Sequence, residues 1–289
     1  MGARVIQTID EMRQEVSDAN RDGLSIGLVP TMGALHAGHM ALIERARREN
    51  DRVAVSIFVN PAQFNQPEDF EKYPRSLDDD LAACSQAGVD WVFSPSKQEM
   101  YPENGLAFVD VETIPKGLCG ANRPGHFRGV AVVVAKLFHI IPADRAYFGE
   151  KDYQQLAVIR RMVRDLSFAV KIVGVEIVRE PDGLALSSRN SRLSPEERAA
   201  ALALWRALSE TRRRAQAGES DVRELREAGW SVLDAEPLAK PEYFEIVESG
   251  TMQPVERITN NARAVCAAWI GAVRLIDNAA LGLAGAAAQ

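Results

Sequence analysis

Between residues 24 and 178 brief apolar runs alternate with longer stretches in which apolar residues recur every three or four positions. The runs at 25–29, 53–59, 89–93, 107–111, 145–148 and 170–178 read as buried strands, being short, mostly apolar and bounded by polar or turn-forming residues. Stretches 40–48 and 76–87 have helical spacing, and Ser76 and Asp79 lie three apart, as in a capping box. This alternation predicts a parallel sheet covered by helices, a Rossmann-like α/β domain whose ligands sit at the carboxyl ends of the strands.

The texture changes after Glu180-Pro181-Asp182-Gly183. Ser194, Pro195 and Glu197 supply an N-cap, a first-turn proline and an N3 acid ahead of a helix expected to reach about residue 217. A helix at 221–235 and strands at 243–248, 264–270 and 273–276 complete a smaller α+β unit. We therefore expect two domains: residues 1–178, holding the nucleotide and acid sites, and residues 179–289, acting as a lid hinged near 180–183. The alanine-rich end, 279–289, has little to bury and is expected to fray.

Composition narrows the choice of function. At 46% hydrophobic and 26% charged, the chain of 289 residues has the makeup of a globular protein with a sizeable core. Its formal charge of −6 argues against a general nucleic-acid binder, which needs a broad basic surface. The longest apolar stretch, 129–141, is interrupted by Lys136 and His139 and is too short to span a bilayer. Arg4, Asp10, Glu11 and Arg13 near the start are unlike a secretory leader, so a cytoplasmic location is expected. Cys84, Cys119 and Cys266 are scattered, with no CxxC pair, and read as reduced core thiols.

Three segments carry candidate chemistry. In Pro30-Thr31-Met32-Gly33-Ala34-Leu35-His36-Ala37-Gly38-His39, two glycines and two histidines lie where a strand turns into a helix. Amides at a helix start lack partners and the dipole there is positive, so a phosphate finds donors; His36 and His39, three apart, fall on one face. Phe148-Gly149-Glu150-Lys151-Asp152 makes a second such junction, with Lys151 as a phosphate-seeking charge and Asp152 suited to a ribose hydroxyl or a magnesium ion. Leu186-Ser187-Ser188-Arg189-Asn190 adds two hydroxyls and a guanidinium. Each also admits a plain reading: a tight turn with ordinary histidines, a capping Asp152 beside a solvated Lys151, a serine-rich loop. GxGxxG, Walker A and HExxH signatures are absent.

The His-x-Gly-His pattern resembles the signature of the nucleotidyltransferase superfamily. Taken with Asn60-Pro61-Ala62-Gln63-Phe64, Tyr73-Pro74-Arg75, Asp78-Asp79-Asp80 and Arg123-Pro124-Gly125-His126-Phe127, the three segments make the chain, from about residue 6 to 281, similar to the pantothenate synthetase (pantoate–β-alanine ligase) family. That resemblance implies ATP-dependent condensation of pantoate with β-alanine through a pantoyl adenylate, with ATP brought as its Mg2+ complex and the enzyme a homodimer. It also implies roles. Met32, Gly33, Ala34, Leu35, His36, Ala37, Gly38 and His39 would line the ATP site, with His39 as proton donor and His36 on the phosphates. Gly149, Glu150, Lys151, Asp152, Val178, Leu186, Ser187, Ser188 and Arg189 would complete it. Gln63 and Gln155 would hold pantoate, Gln63 also facing β-alanine. Asp79, Asp80 and Arg123 are lesser candidates, explicable by a helix start and a surface ion pair. Two rivals stay open at this point: transfer of AMP to a phosphate acceptor, which the amides at 60, 63 and 155 disfavour, and a nucleotide-sensing module without catalysis.

Overall fold

The computed structural model describes residues 2–65, 70–71, 73–102 and 107–282. Its first unit is a sheet of strands β1 (Arg4–Ile6), β2 (Ile26–Thr31), β3 (Arg52–Ile57), β4 (Trp91–Phe93), β5 (Arg145–Gly149) and β6 (Lys171–Val175) in the order β1-β4-β3-β2-β5-β6. All five pairings are parallel. The chain order reverses direction between β2 and β5, the kind of switch point at which α/β sheets open a crevice.

Helices cover both faces, which is why the strands read as almost unbroken apolar runs. On one face α1 (Ile9–Arg21), α6 (His126–Ile140) and α7 (Tyr153–Asp165) pack on Ile26, Leu28, Ala54 and Phe148. On the other, α2 (Ala37–Glu49) and α3 (Leu77–Gln86) pack Leu42, Ile43, Ala46 and Cys84 on Val29, Val53, Val55 and Tyr147. Short helices α4 (Lys97–Met100) and α5 (Leu118–Asn122) lie between. The run at 129–141 falls in α6, a buried core helix.

Several expectations need correction. β1 and α1 precede the first element read from the sequence. Residues 107–111 form no strand: Val109 and Val111 pack on the core, and Phe108 turns outward beneath the Arg128 guanidinium. Its alternating pattern records a chain lying along the core without a ladder partner. Ser76 stands at the start of α3 but forms no cap bond, because its backbone (ψ 57°) leaves the extended conformation a cap needs.

The second unit is an antiparallel sheet, β7 (Ala239–Glu248), β8 (Ala262–Ile270) and β9 (Val273–Ala280), in that order. Helices α8 (Pro195–Ala200), α9 (Leu202–Gln216) and α10 (Val222–Asp234) cover one face. The expected Ser194–Glu197 capping box is formed in both directions, but the helix it opens is divided at the buried Ala201. The other face is turned toward the first unit, where Val247, Met252 and Val265 join its core. Of the end expected to fray, Ala279 and Ala280 belong to β9, and Ala279 and Leu281 pack in the core beneath the second unit's helices; residues 283–289 lie outside the described residues. The three cysteines are buried thiols.

Candidate active site

After β2 the chain makes a tight left-handed path through Gly33 (φ 78°) and Ala34 (φ 51°). Asp80, from α3 and almost fully buried, accepts the Ala34 amide at 2.9 Å and the Leu35 amide at 2.7 Å. A Cβ on Gly33 would stand 2.8 Å from Asp80 Oδ2, so this tie requires glycine on steric as well as conformational grounds. Helix α2 then opens on its own histidines. His36 is the N-cap and accepts the Gly38 amide on Nδ1 at 3.1 Å, while His39 Nδ1 accepts the His36 amide at 3.3 Å.

This reciprocal cap settles the protonation pattern. With each Nδ1 acting as acceptor, a neutral ring carries its proton on Nε2. Burial lowers the His36 pKa, helped by the nearby Lys151 charge; burial and His36 lower that of His39 to about 3. Both rings, 4.2 Å apart, are therefore neutral near pH 7 and present Nε2–H donors. Helix-start amides expected to face a phosphate are spent on the histidines, which pass the donor character outward.

The second turn follows β5. Gly149 ends the strand, residues Glu150–Asp152 make one 3₁₀ turn, and Asp152 caps α7 by accepting the Gln155 amide at 3.1 Å. The plain reading of Asp152 as a cap is thus part of its role. Lys151 is no solvated cation. Burial lowers its pKa, with Asp277 pulling the other way, and no hydrogen bond or ion pair reaches its ammonium among the described residues. Support for this turn comes from the second sheet: the Asn278 side-chain amide donates to the carbonyls of Glu150 (2.9 Å) and Lys151 (3.0 Å), and Arg263 lies 3.7 Å from Glu150 and stacks on Tyr153.

The third segment is a 3₁₀ turn, Ser188–Arg192, capped by Ser187 Oγ accepting the Arg189 amide. Leu186 N donates to Val178 O, and Asn190 Nδ2 donates to Ala185 O. Upstream, Arg179 grips Asp277 in a two-pronged ion pair and Arg198 holds Glu180 and Asp182, so 179–183 is tied to the second unit.

All three turns converge on one cleft of about 570 Å³. His36, Gly38, His39, Gly149, Lys151, Asp152, Gln155, Val178, Leu186, Ser187, Ser188 and Arg189 line it. Met32, Gly33, Ala34, Leu35, Ala37, Glu150 and Gln63 do not. Gln63 lies buried beside it, its amide on Met32 Sδ and its Oε1 accepting from Asn60 Nδ2. That turn rests flush on α6: a Cβ on Gly129 would fall 2.2 Å from the Ala62 carbonyl oxygen.

The opposite wall was not read from the sequence. Trp269, Arg274 and Ile276 come from the second sheet, with Glu242 gathering Arg274, Trp269 Nε1 and Asn122 Nδ2. Arg123 also lines the cleft, backed by buried His126. Strand alternation in residues 243–276 carries no sign of which face meets the first unit, so only the fold could supply this wall. No group of three or more His, Cys, Asp or Glu among the described residues is placed to hold a metal.

Comparison with known proteins agrees in sequence and in shape. The model of the family described as pantoate-beta-alanine ligase matches residues 4–280. A pantothenate synthetase of Koribacter versatilis is 54% identical over 282 residues, 98% of this chain and 97% of that protein. The crystal structure of a pantothenate synthetase from Thermus thermophilus superposes with a TM-score of 0.92 at 50% identity, covering 96% of this chain and 99% of the other. One from Francisella tularensis, complexed with beta-gamma ATP and beta-alanine, gives 0.80 at 36% identity, covering 96% and 98%.

Proposed function

The chain belongs to the pantoate–beta-alanine ligase family, and from that premise we propose how its cleft performs the ATP-dependent condensation of pantoate with β-alanine. Pantoate carboxylate attacks the α-phosphorus of ATP, releasing pyrophosphate and leaving pantoyl adenylate; the amine of β-alanine then displaces AMP. The observation that carries this reading is the unpaired Lys151 ammonium in one cleft with two neutral Nε2–H donors and the Ser187–Arg189 turn.

No covalent nucleophile is required. Negative charge grows on the phosphoryl oxygens and the departing pyrophosphate, where fixed donors in a dry cleft act most strongly; one such donor contributes about 3 to 4 kcal/mol. His36 and His39, being neutral with Nδ1 spent on the cap, each serve as a hydrogen-bond donor through Nε2–H. Lys151 and Arg189 meet the charge directly. Gly149, Val178 and Leu186 contact the nucleotide; Met32 to Leu35, Ala37 and Glu150 shape its turns from behind. Gln155 binds pantoate from the cleft wall, and Gln63 binds pantoate and β-alanine after turning from Met32. Of the carboxylates near the cleft, Asp152 acts as a cap and Glu242 and Asp277 are held by arginines, and no group of three or more metal-ligating side chains gathers among the described residues, so magnesium is written as part of the substrate, held by ATP oxygens and water.

We place the domain boundary at 178/179 and the joint of the lid at 176–178, ahead of the ion pairs that bind 179–183 to the second unit. Closure protects the adenylate from hydrolysis. We further read the enzyme as a cytoplasmic homodimer, checked by sedimentation. AMP formation should require ATP, pantoate and β-alanine together; AMP release with pantoate omitted would overturn the reading. Gln63→Ala should raise the pantoate requirement with little change in ATP affinity, measured by titration calorimetry.

A further inference from the structure

The arginines in and beside the cleft are not all held alike. Arg274 is neutralised by Glu242 and Arg179 by Asp277, each through at least two hydrogen bonds. Arg123 is held only by neutral groups: Nη1 meets His126 Nε2 at 3.0 Å, and Nη2 points at the Gln63 carbonyl oxygen at 3.4 Å. A guanidinium has five N–H donors, and among the described residues no carboxylate lies within ion-pair distance of this one.

His126 explains how the charge is kept whole. It is buried, and its Nδ1 stands 2.8 Å from the Gln63 carbonyl oxygen. A carbonyl can only accept, so Nδ1 carries the proton and Nε2 offers a lone pair to Arg123. The ring stays neutral because burial, and then the Arg123 charge, lower its pKa to about 4. Asp152 and Arg189 are the other charged groups that act on it, in opposite senses. The result is an aimed, half-buried cation whose field is not cancelled.

We propose that Arg123, aimed by His126, binds the carboxylate of the amine substrate and so makes the enzyme select an amino acid over a simple amine. This rests on the acyl-transfer reading above. The histidine pair and Lys151 already serve the phosphates, whereas Arg123 is tied to the main chain of Gln63, at the acyl pocket. A short amino acid anchored there directs its amine toward the acyl carbon. His126 is a positioning residue that acts through Arg123.

The experiment uses the full chain and separates the half-reactions. Pyrophosphate release from ATP and pantoate reports the first; product formation with β-alanine, or with 3-aminopropan-1-ol, which lacks the carboxylate, reports the second. Arg123→Gln should raise KM for β-alanine about 10- to 100-fold, as loss of a charged hydrogen bond does, and bring kcat/KM for the two amines close together. Should that variant not fold, Arg123→Lys, which keeps the charge and loses the fork, should show the same convergence in part. His126→Asn should raise KM for β-alanine about 3- to 10-fold at nearly constant kcat. An equal rise in KM for ATP would assign Arg123 to the polyphosphate instead and overturn the proposal, as would unchanged preference for β-alanine. Wild-type enzyme that releases AMP without pantoate would overturn the reaction itself, a distinct result.

Discussion

Two strand-to-helix turns meet at the cleft, and they are supported in opposite ways. The turn after β2 is fastened from inside its own domain: Asp80 holds two amides, and the histidines cap the helix they begin. The turn after β5 has a cap of its own but leans on a different sheet, through Asn278 and Arg263. Local geometry is similar; the source of rigidity is not. The first turn should keep its shape whatever the second unit does. The second should hold Lys151 in place only while β9 is packed against it, so on the reading proposed above an opening of the lid would withdraw Lys151 and leave the histidine pair intact.

The largest effect should come from His39→Ala, which removes a donor from the self-supported turn. Adenylate formation should fall about 10²- to 10³-fold, while stability drops by only about 1 kcal/mol for the lost cap; single-turnover pyrophosphate release and urea unfolding measure the two. A drop in stability without a drop in rate would make the histidines mere caps.

Asp80→Asn should cost about 3 kcal/mol, since a buried acceptor for two amides becomes in part a donor facing them. Hydrogen exchange should rise at 33–39 and stay unchanged at 149–155. Asn278→Ala should be milder, about 1 to 2 kcal/mol, with adenylate formation slowed about tenfold and the exchange pattern reversed. If Asn278→Ala left 149–155 protected, the contrast between the turns would fail. The two substitutions, in different units and without shared partners, should be additive.

The smallest effect is on pH dependence. The folded-state pKa values of His39 and His126 lie well below the ordinary 6.5, so the unfolded chain takes up a proton at each first as pH falls. Stability from these rings is full above 6.5 and is lost as the pH falls toward 4 and 3, with about 0.7 kcal/mol per histidine going between pH 7 and 6. His126→Asn should remove one ring's share of that slope, read from thermal unfolding at the two values.

The same contrast explains what the sequence could reveal. Glycines, histidines and a strand before a helix are all neighbours along the chain, so the first turn was legible as a strand-to-helix junction carrying two histidines, though not Asp80 as its fastening. At the second turn Lys151 was legible, but its support lies 127 residues away in Asn278. Residues 107–111 misled because a segment that lays alternate apolar residues on a core reads like a strand. Residues 9–21, with Met12, Val16 and Ala19 buried at helical spacing, were weighed only for their charge, and the helix there went unread. Fold class came through because long runs of period and texture specify it.

In the His36–His39 pair each imidazole completes the helix start with one nitrogen and keeps an N–H on the other, which constrains how such a protein can change over generations. A substitute must supply an acceptor on one edge and a donor on the other at the same spacing, a demand that no other single side chain meets with a rigid ring. Drift at either position is closed from two directions, and a descendant that abandoned the chemistry would still be under selection to keep the histidines for the sake of its architecture.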